Sequence, residues 1–406
     1  MKVKHLNIFR FNFLQLVVLS MSLLILNVKH ASELVILILT ILGIYFSIRE
    51  RKLPFFHDQL KMYSYLVLAF FFSIVMSIIL SNNPIQGVGR IGSNIHFLVA
   101  PFVAYGLYKS NVDLKHIVLA IKLSVIVGTV YAIYLGAERA EVGSDSPTIF
   151  GFIMVFFGFI AIIDIWTQSN KEKLFSMFIF FLAMYSVLLS GTRIAFVITI
   201  ALFFSVMFIW SIRGYLTKKR LLLIVTVLTV ITAVSMNNKS FISRIDIALN
   251  EFKTFSVDTE EYGTFAHGSI GVRLSMWSGG FEAFKQQPII GYGYQNTGLE
   301  ASQHISGINS KVFTKGQKML HNDYINSLVG FGILGLSVLL AFLFFPLTIF
   351  FKRLKADKDY TRNAIGILLI IALSVFAITD SIYSHNVMRS FVVFFLGVLL
   401  PVANKE

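Results

Sequence analysis

The stretch Leu320-His321-Asn322-Asp323-Tyr324 marks the point where a long polar segment ends and an apolar run to Phe351 begins. About 20 apolar residues suffice for a helix to cross a bilayer, and this run exceeds that length. Runs of similar character recur along the chain. Of the 406 residues 56% are hydrophobic and 14% charged, against the roughly 25% charged of a soluble domain, so the composition is that of a polytopic all-α membrane protein. The apolar runs are continuous, which argues against the alternating pattern of a membrane β-barrel. With no cysteine, disulfides, thiolate metal sites and cysteine nucleophiles are excluded.

Hydropathy predicts about twelve spans, near 11–28, 32–48, 63–81, 94–108, 116–136, 147–166, 174–190, 193–210, 221–237, 322–350, 364–380 and 387–403. The first run lacks a small-residue cleavage site and reads as a retained helix. With the N-terminus inside, the inward segments collect Lys2, Lys4, Arg10, Arg49, Arg51, Lys52, Arg213, Lys218, Lys219, Arg220, Lys352, Arg353 and Lys355, among others. The short outward loops hold only Lys29, Arg90, Arg139, Arg193 and Arg389. This bias follows the positive-inside rule and predicts both termini in the cytoplasm. It accounts for most of the net charge of +14 as a topology signal, so nucleic acid is not an expected partner.

Three regions follow: residues 1–237 with nine spans, 238–321 as one large outward loop domain, and 322–406 with three spans and a short cytoplasmic tail. The loop domain is too long for a simple connection. Helical periodicity predicts helices over Phe241–Phe255 and Ile270–Phe284, the second with a stripe of Ile270, Leu274, Trp277, Phe281 and Phe284. Pro288, Gly291 and Gly293 then break the pattern, and 294–320 reads as a polar segment suited to a lid.

Outward arginines are scarce, so each needs a reason. Arg193 sits in the turn Ser190-Gly191-Thr192-Arg193 between two apolar runs, either as a snorkelling anchor or as an anion clamp. Its planar fork matches phosphate oxygens, and the hydroxyls of Ser190 and Thr192 lie beside it. Arg273 in Gly271-Val272-Arg273-Leu274-Ser275-Met276-Trp277 is either a solvated arginine or a second arm of such a clamp. His321 is either a helix-flanking surface residue or a general base, because a neutral imidazole accepts a proton near neutral pH. Asp323 is too close in sequence to share its helical face. Asp380 and Arg389 flank the last outward turn, either pairing with each other or lining a site. Dispersed histidines without HxxxH or HxH spacing give no metal motif. Lys122, inside the fifth span, requires a buried partner or a route to water.

In order and sidedness these motifs resemble the O-antigen ligase family of the O-antigen ligase/polymerase superfamily of membrane glycosyltransferases. The resemblance covers about residues 185–390: Ser190-Gly191-Thr192-Arg193, then Gly271 to Trp277 with Pro288 and Gly291, then His321-Asn322-Asp323-Tyr324 with Gly330, Gly332 and Gly335. It implies a GT-C-like fold in a Gram-negative inner membrane with its site on the periplasmic face. It also implies transfer of a glycan from undecaprenyl pyrophosphate to a sugar hydroxyl of lipid A-core, with inversion and with neither metal nor other cofactor. Arg193 and Arg273 would hold the donor pyrophosphate and His321 would be the catalytic base. Ser190, Thr192, Asn322, Asp380 and Arg389 are supporting candidates. Such ligases often carry another histidine shortly before the catalytic one; Met319 stands near that position here. The alternatives are an O-antigen polymerase, a protein O-oligosaccharyltransferase and, in another class, a transporter of lipid-linked glycan. A dimer and assembly partners stay open.

Overall fold

A computed structural model describes residues 11–136, 140–144, 146–222, 246, 269–305, 319–356 and 359–401. Among these every regular element is helical: α1 (Phe13–Leu24), α2 (Ala31–Glu50), α3 (Lys61–Ile79), α4 (Pro84–Ser93), α5 (Ile95–Ser110), α6 (Leu114–Leu135), α7 (Pro147–Ile162), α8 (Asn170–Ser190) and α9 (Arg193–Ile212). They continue as α10 (Ser269–Gln286), α11 (Thr297–Gln303), α12 (Asp323–Lys355), α13 (Tyr360–Phe376) and α14 (Asn386–Leu399). Among the described residues seven segments are long and apolar enough to cross a membrane, with α4 and α5 counted as one, and α1, α7, α13 and α14 are shorter apolar helices. The chain is a helical membrane protein. The predicted ninth span and the predicted helix over Phe241–Phe255 fall almost wholly outside the described residues, as does most of the loop domain.

Local chemistry explains several boundaries. Pro84 and Pro147 open α4 and α7, where a missing N–H costs nothing. Ser169 and Glu172 form a capping box on α8, and Asn322 caps α12 by accepting from Ile325 N at 3.0 Å. The helix α4 is an addition to the expected span plan. It exposes Ile85 and Val88 and turns Arg90 towards the interior of the fold.

The centre of the bundle is α7, with Ile149 to Ala161 buried on all sides. Phe152 meets Phe376 at 4.9 Å and Phe391 at 5.5 Å between ring centroids, which joins α7 to both α13 and α14. In lipid, helices associate through close packing more than through apolar transfer, so small residues sit at the contacts. At Gly43 of α2 a Cβ would lie 1.9 Å from Phe102 O of α5. Lys122 has its partner within the bundle: its Nζ donates to Ser176 Oγ at 2.8 Å and lies 5.7 Å from the Phe175 ring.

Two features depart from the sequence reading. The helix α10 forms where expected, but its buried face is Met276, Gly280 and Ala283, while Phe281 is exposed. A Cβ at Gly280 would strike Ile325 and Leu320, so small residues rather than the aromatic stripe set the approach to α12. Residues 294–305 are also no free lid: Tyr294 and Ala301 are buried, and α11 packs on α10 and α12. The remainder of the expected lid, 306–318, lies outside the described residues.

The long helix α12 is interrupted at Phe331 and Gly332, whose backbone leaves helical geometry. The segment after α10 fills the break. Ile333 N donates to Pro288 O, Tyr292 N to Val329 O and Gly293 N to Gly330 O, each at 2.8 Å. Within a membrane every freed backbone group needs such a partner. Gly332 has φ 59°, and a Cβ there would lie 2.3 Å from Ile289 O. Gly332→Ala is therefore expected to destabilise the protein by about 1–3 kcal/mol from the positive-φ, glycine-only backbone alone, with the clash added. Thermal unfolding in detergent should show a Tm lower by several degrees, and an unchanged Tm would contradict this account of the break.

Candidate functional site

The sites named from sequence converge on one end of the bundle. Asp323 N donates to Ala377 O at 2.8 Å, which places the start of α12 beside the end of α13. Arg213 lies 4.9 Å from the Tyr360 ring at the opposite end, so α9 runs antiparallel to α13 and Arg193 stands at the His321 end. Trp277 of α10 donates from Nε1 to Leu320 O at 3.0 Å, bringing the Arg273 helix to the same place.

His321 is held from both sides. Leu320 is fully buried and donates its N–H to Asn326 Oδ1 at 2.9 Å, and Asn322 caps the next helix. Between them His321 takes φ 48°, a left-handed conformation that costs a non-glycine residue of order 1–2 kcal/mol. Its side chain remains about a third exposed (32%), so the ring is positioned yet reachable.

The partner of this histidine is Asp380, not Asp323. His321 Nδ1 lies 3.5 Å from Asp380 Oδ1, and His385 Nε2 lies 3.4 Å from the same oxygen. Ser381 N–H donates to that oxygen as well, at 2.8 Å. The histidine contacts are long for hydrogen bonds; catalytic contacts commonly tighten when substrate binds. Burial alone would raise the Asp380 carboxyl, but hydrogen bonds from His321 and His385, with their charge, outweigh it and hold the group well below the usual carboxylate range. A carboxylate facing Nδ1 favours the tautomer with its proton there, leaving Nε2 as the acceptor.

The remaining residues divide by environment. Arg193 is exposed and Arg273 half-buried. The hydroxyls of Ser190 and Thr192 are buried and bond each other at 3.0 Å within the turn, so they stabilise it from inside. Arg389 does not pair with Asp380. It is buried and donates to Tyr383 O and to Asn386 Oδ1, bracing the turn between α13 and α14. A small polar cleft of about 20 Å³, room for about one water, is lined by Arg90, Asn94, Tyr294, Met319, Ser381, Tyr383 and their neighbours. Burial pushes the Tyr294 and Tyr383 phenols up, so both stay neutral, linked through Ser327 Oγ at 3.2 and 3.0 Å.

Sequence reasoning did not single out His385, Asn94, Tyr294 or Tyr383. Only the position of His385 in the same outward turn as Asp380 hinted at its place.

The fold and this end define a helical membrane protein with a polar, histidine-bearing site at one bundle face. Residues 178–340 match the family model described as O-Antigen ligase, so this part of the chain is similar to that family. The match includes Arg193, Arg273 and His321; Asp380 and His385 come to the site from beyond it. Over its wider length the chain is similar to an uncharacterized protein of Haemophilus influenzae, 25% identical over 370 residues, covering 86% of this chain and 88% of that protein.

The depressed Asp380 carboxyl has a stability consequence. A group whose folded pKa lies below its unfolded value contributes stability above the unfolded pKa, near about 3.9, and loses it as pH falls towards the folded value. Wild type should exceed Asp380→Asn in Tm at pH 6, and the gap should shrink progressively below about pH 4. A gap that persists unchanged to pH 3 would contradict the ionised His–Asp–His contact.

Proposed function

We propose that this protein is an O-antigen ligase of the inner membrane. It transfers a glycan from undecaprenyl pyrophosphate to a sugar hydroxyl of lipid A-core on the periplasmic face, with both termini in the cytoplasm and residues 238–321 forming the domain over the site. The observation that carries this reading is His321 within the matched domain, with Nδ1 towards Asp380 and its ring about a third exposed. The basic residues crowding the opposite loops support the sidedness.

In this mechanism His321 Nε2 takes the proton of the acceptor hydroxyl. The hydroxyl oxygen bonds to the anomeric carbon as that carbon's bond to the pyrophosphate oxygen breaks, and the configuration inverts. The electron pair leaves with the polyprenyl pyrophosphate, whose charge the guanidiniums of Arg193 and Arg273 receive. Asp380 stabilises the imidazolium formed at His321, as a buried carboxylate does for a histidine base. Base assistance of this kind contributes roughly 10²–10⁴ in rate.

Purified protein, lipid-linked glycan and lipid A-core provide the test. Wild type is expected to form the glycan–core product, and His321→Ala to lose at least about 10²-fold in rate while remaining folded. Arg193→Lys keeps the charge but loses the fork, so it should retain membrane level and lose most transfer. Elongation of the lipid-linked glycan in place of transfer to core would make the protein a polymerase, and full transfer by His321→Ala would reject the base.

A further inference from the structure

His385 stands at the N-cap position of α14, yet its side chain makes no capping bond to that helix. Such positions favour Ser, Thr, Asp or Asn, whose short side chains reach the free N–H groups of the first turn. The imidazole turns away from its own helix, and its Nε2 lies 3.4 Å from Asp380 Oδ1. His321 approaches the same oxygen with Nδ1 at 3.5 Å. The two rings therefore flank one atom and reach it through different nitrogens. The carboxylate between them is 7% exposed, whereas the rings are 32% and 30% exposed.

One imidazole suffices as the partner of a carboxylate that supports a base, so the second acts on the carboxylate itself. Among the described residues the other donor to Asp380 is the Ser381 N–H, at 2.8 Å from Oδ1. Ser381 is the next residue in the chain and moves with the same turn. The terminal torsion of an aspartate is broad and two-fold, so a carboxylate held only by its own neighbour can swing away from a base. His385 supplies a donor from the start of the following helix, whose place is fixed separately. Arg389 N–H donates to His385 O at 3.0 Å, and the Arg389 guanidinium holds Tyr383 O and Asn386 Oδ1. A rigid helix thus reaches through His385 to the oxygen that faces His321. Groups around a reacting centre have to be held within about 0.5 Å of their working geometry, which is the task of such supporting contacts.

We propose that His385 is a positioning residue of this site: by donating its Nε2–H to Asp380 it keeps Oδ1 on His321 Nδ1, and so holds His321 in the tautomer whose Nε2 is free to accept a proton. His385 acts through Asp380 and does not touch the reacting atoms. No proton crosses the carboxylate, which is held well below the usual carboxylate range and stays ionised beside the imidazolium. The effect on catalysis rests on the transferase reading above; the control of the His321 tautomer does not.

Full-length protein in nanodiscs separates the two. Nitrogen NMR of isotope-labelled histidines, at a mildly alkaline pH where an ordinary imidazole is neutral, reports the His321 tautomer without substrate; its signals are assigned by their loss in His321→Ala. Wild type is expected to carry the His321 proton on Nδ1, and His385→Ala to show a mixture of both tautomers. His385→Gln places an amide nitrogen where Nε2 stood and should restore the wild-type signal, whereas His385→Asn, whose amide falls at the Nδ1 position, should not. A wild-type tautomer in His385→Ala overturns the proposal. In glycan transfer His385→Ala should lower kcat about 10-fold, within the range for residues of one hydrogen-bond network, with KM for donor and acceptor unchanged. In an Asp380→Asn background the same substitution should lower kcat no further. A full additional loss there, a raised KM with kcat intact, or a loss in His385→Gln equal to that in His385→Ala overturns the positioning role. If wild type transfers no glycan while the His321 tautomer still depends on His385, the transferase reading fails and the positioning contact stands.

Discussion

The site depends on how Asp323 is held at the first turn of α12. Its carboxyl oxygen Oδ2 accepts the Ile382 N–H at 2.7 Å, its own N–H reaches Ala377 O at 2.8 Å, and Tyr383 donates its hydroxyl to Asp323 O at 3.2 Å. These three bonds fasten the turn between α13 and α14 onto the start of α12. That turn carries Asp380 and His385, so the contact between Asp380 and His321 is a product of the Asp323 anchor. Asp323 was visible in the sequence as a neighbour of the histidine, but its work is to bring a different carboxylate to it.

A second constraint shapes the cleft. A helix inside a bilayer cannot be broken unless its freed groups are bonded again. Here the break at Phe331 and Gly332 is filled by residues 288–293, and Ser77 of α3 closes the arrangement by donating to Gly330 O at 2.8 Å and accepting from Tyr294 N at 3.1 Å. The inserted segment delivers Tyr294 to the cleft wall. The turn chemistry of Pro288, Gly291 and Gly293 announced that a helix ends there. It did not announce that the chain re-enters the bundle, because that depends on a gap in another helix.

Apolar length by itself determined the helical membrane class and the approximate position of each described span. The hydrophobic length of a run is a local property. The packed face of α10 was not legible, because an aromatic stripe and a small-residue stripe carry the same 3.6-residue period. Close packing against Ile325 and Leu320 selected the small one, leaving Phe281 exposed.

Tertiary structure alone decided the composition of the site. It separated Asp380 from Arg389, paired it with His321 and His385, and turned the hydroxyls of Ser190 and Thr192 inward. The contacts between His321 and Asp380 join residues 59 positions apart in sequence. A sequence pattern records which groups each segment offers; which of them meet is fixed by the packing of segments whose mutual distance the pattern does not contain.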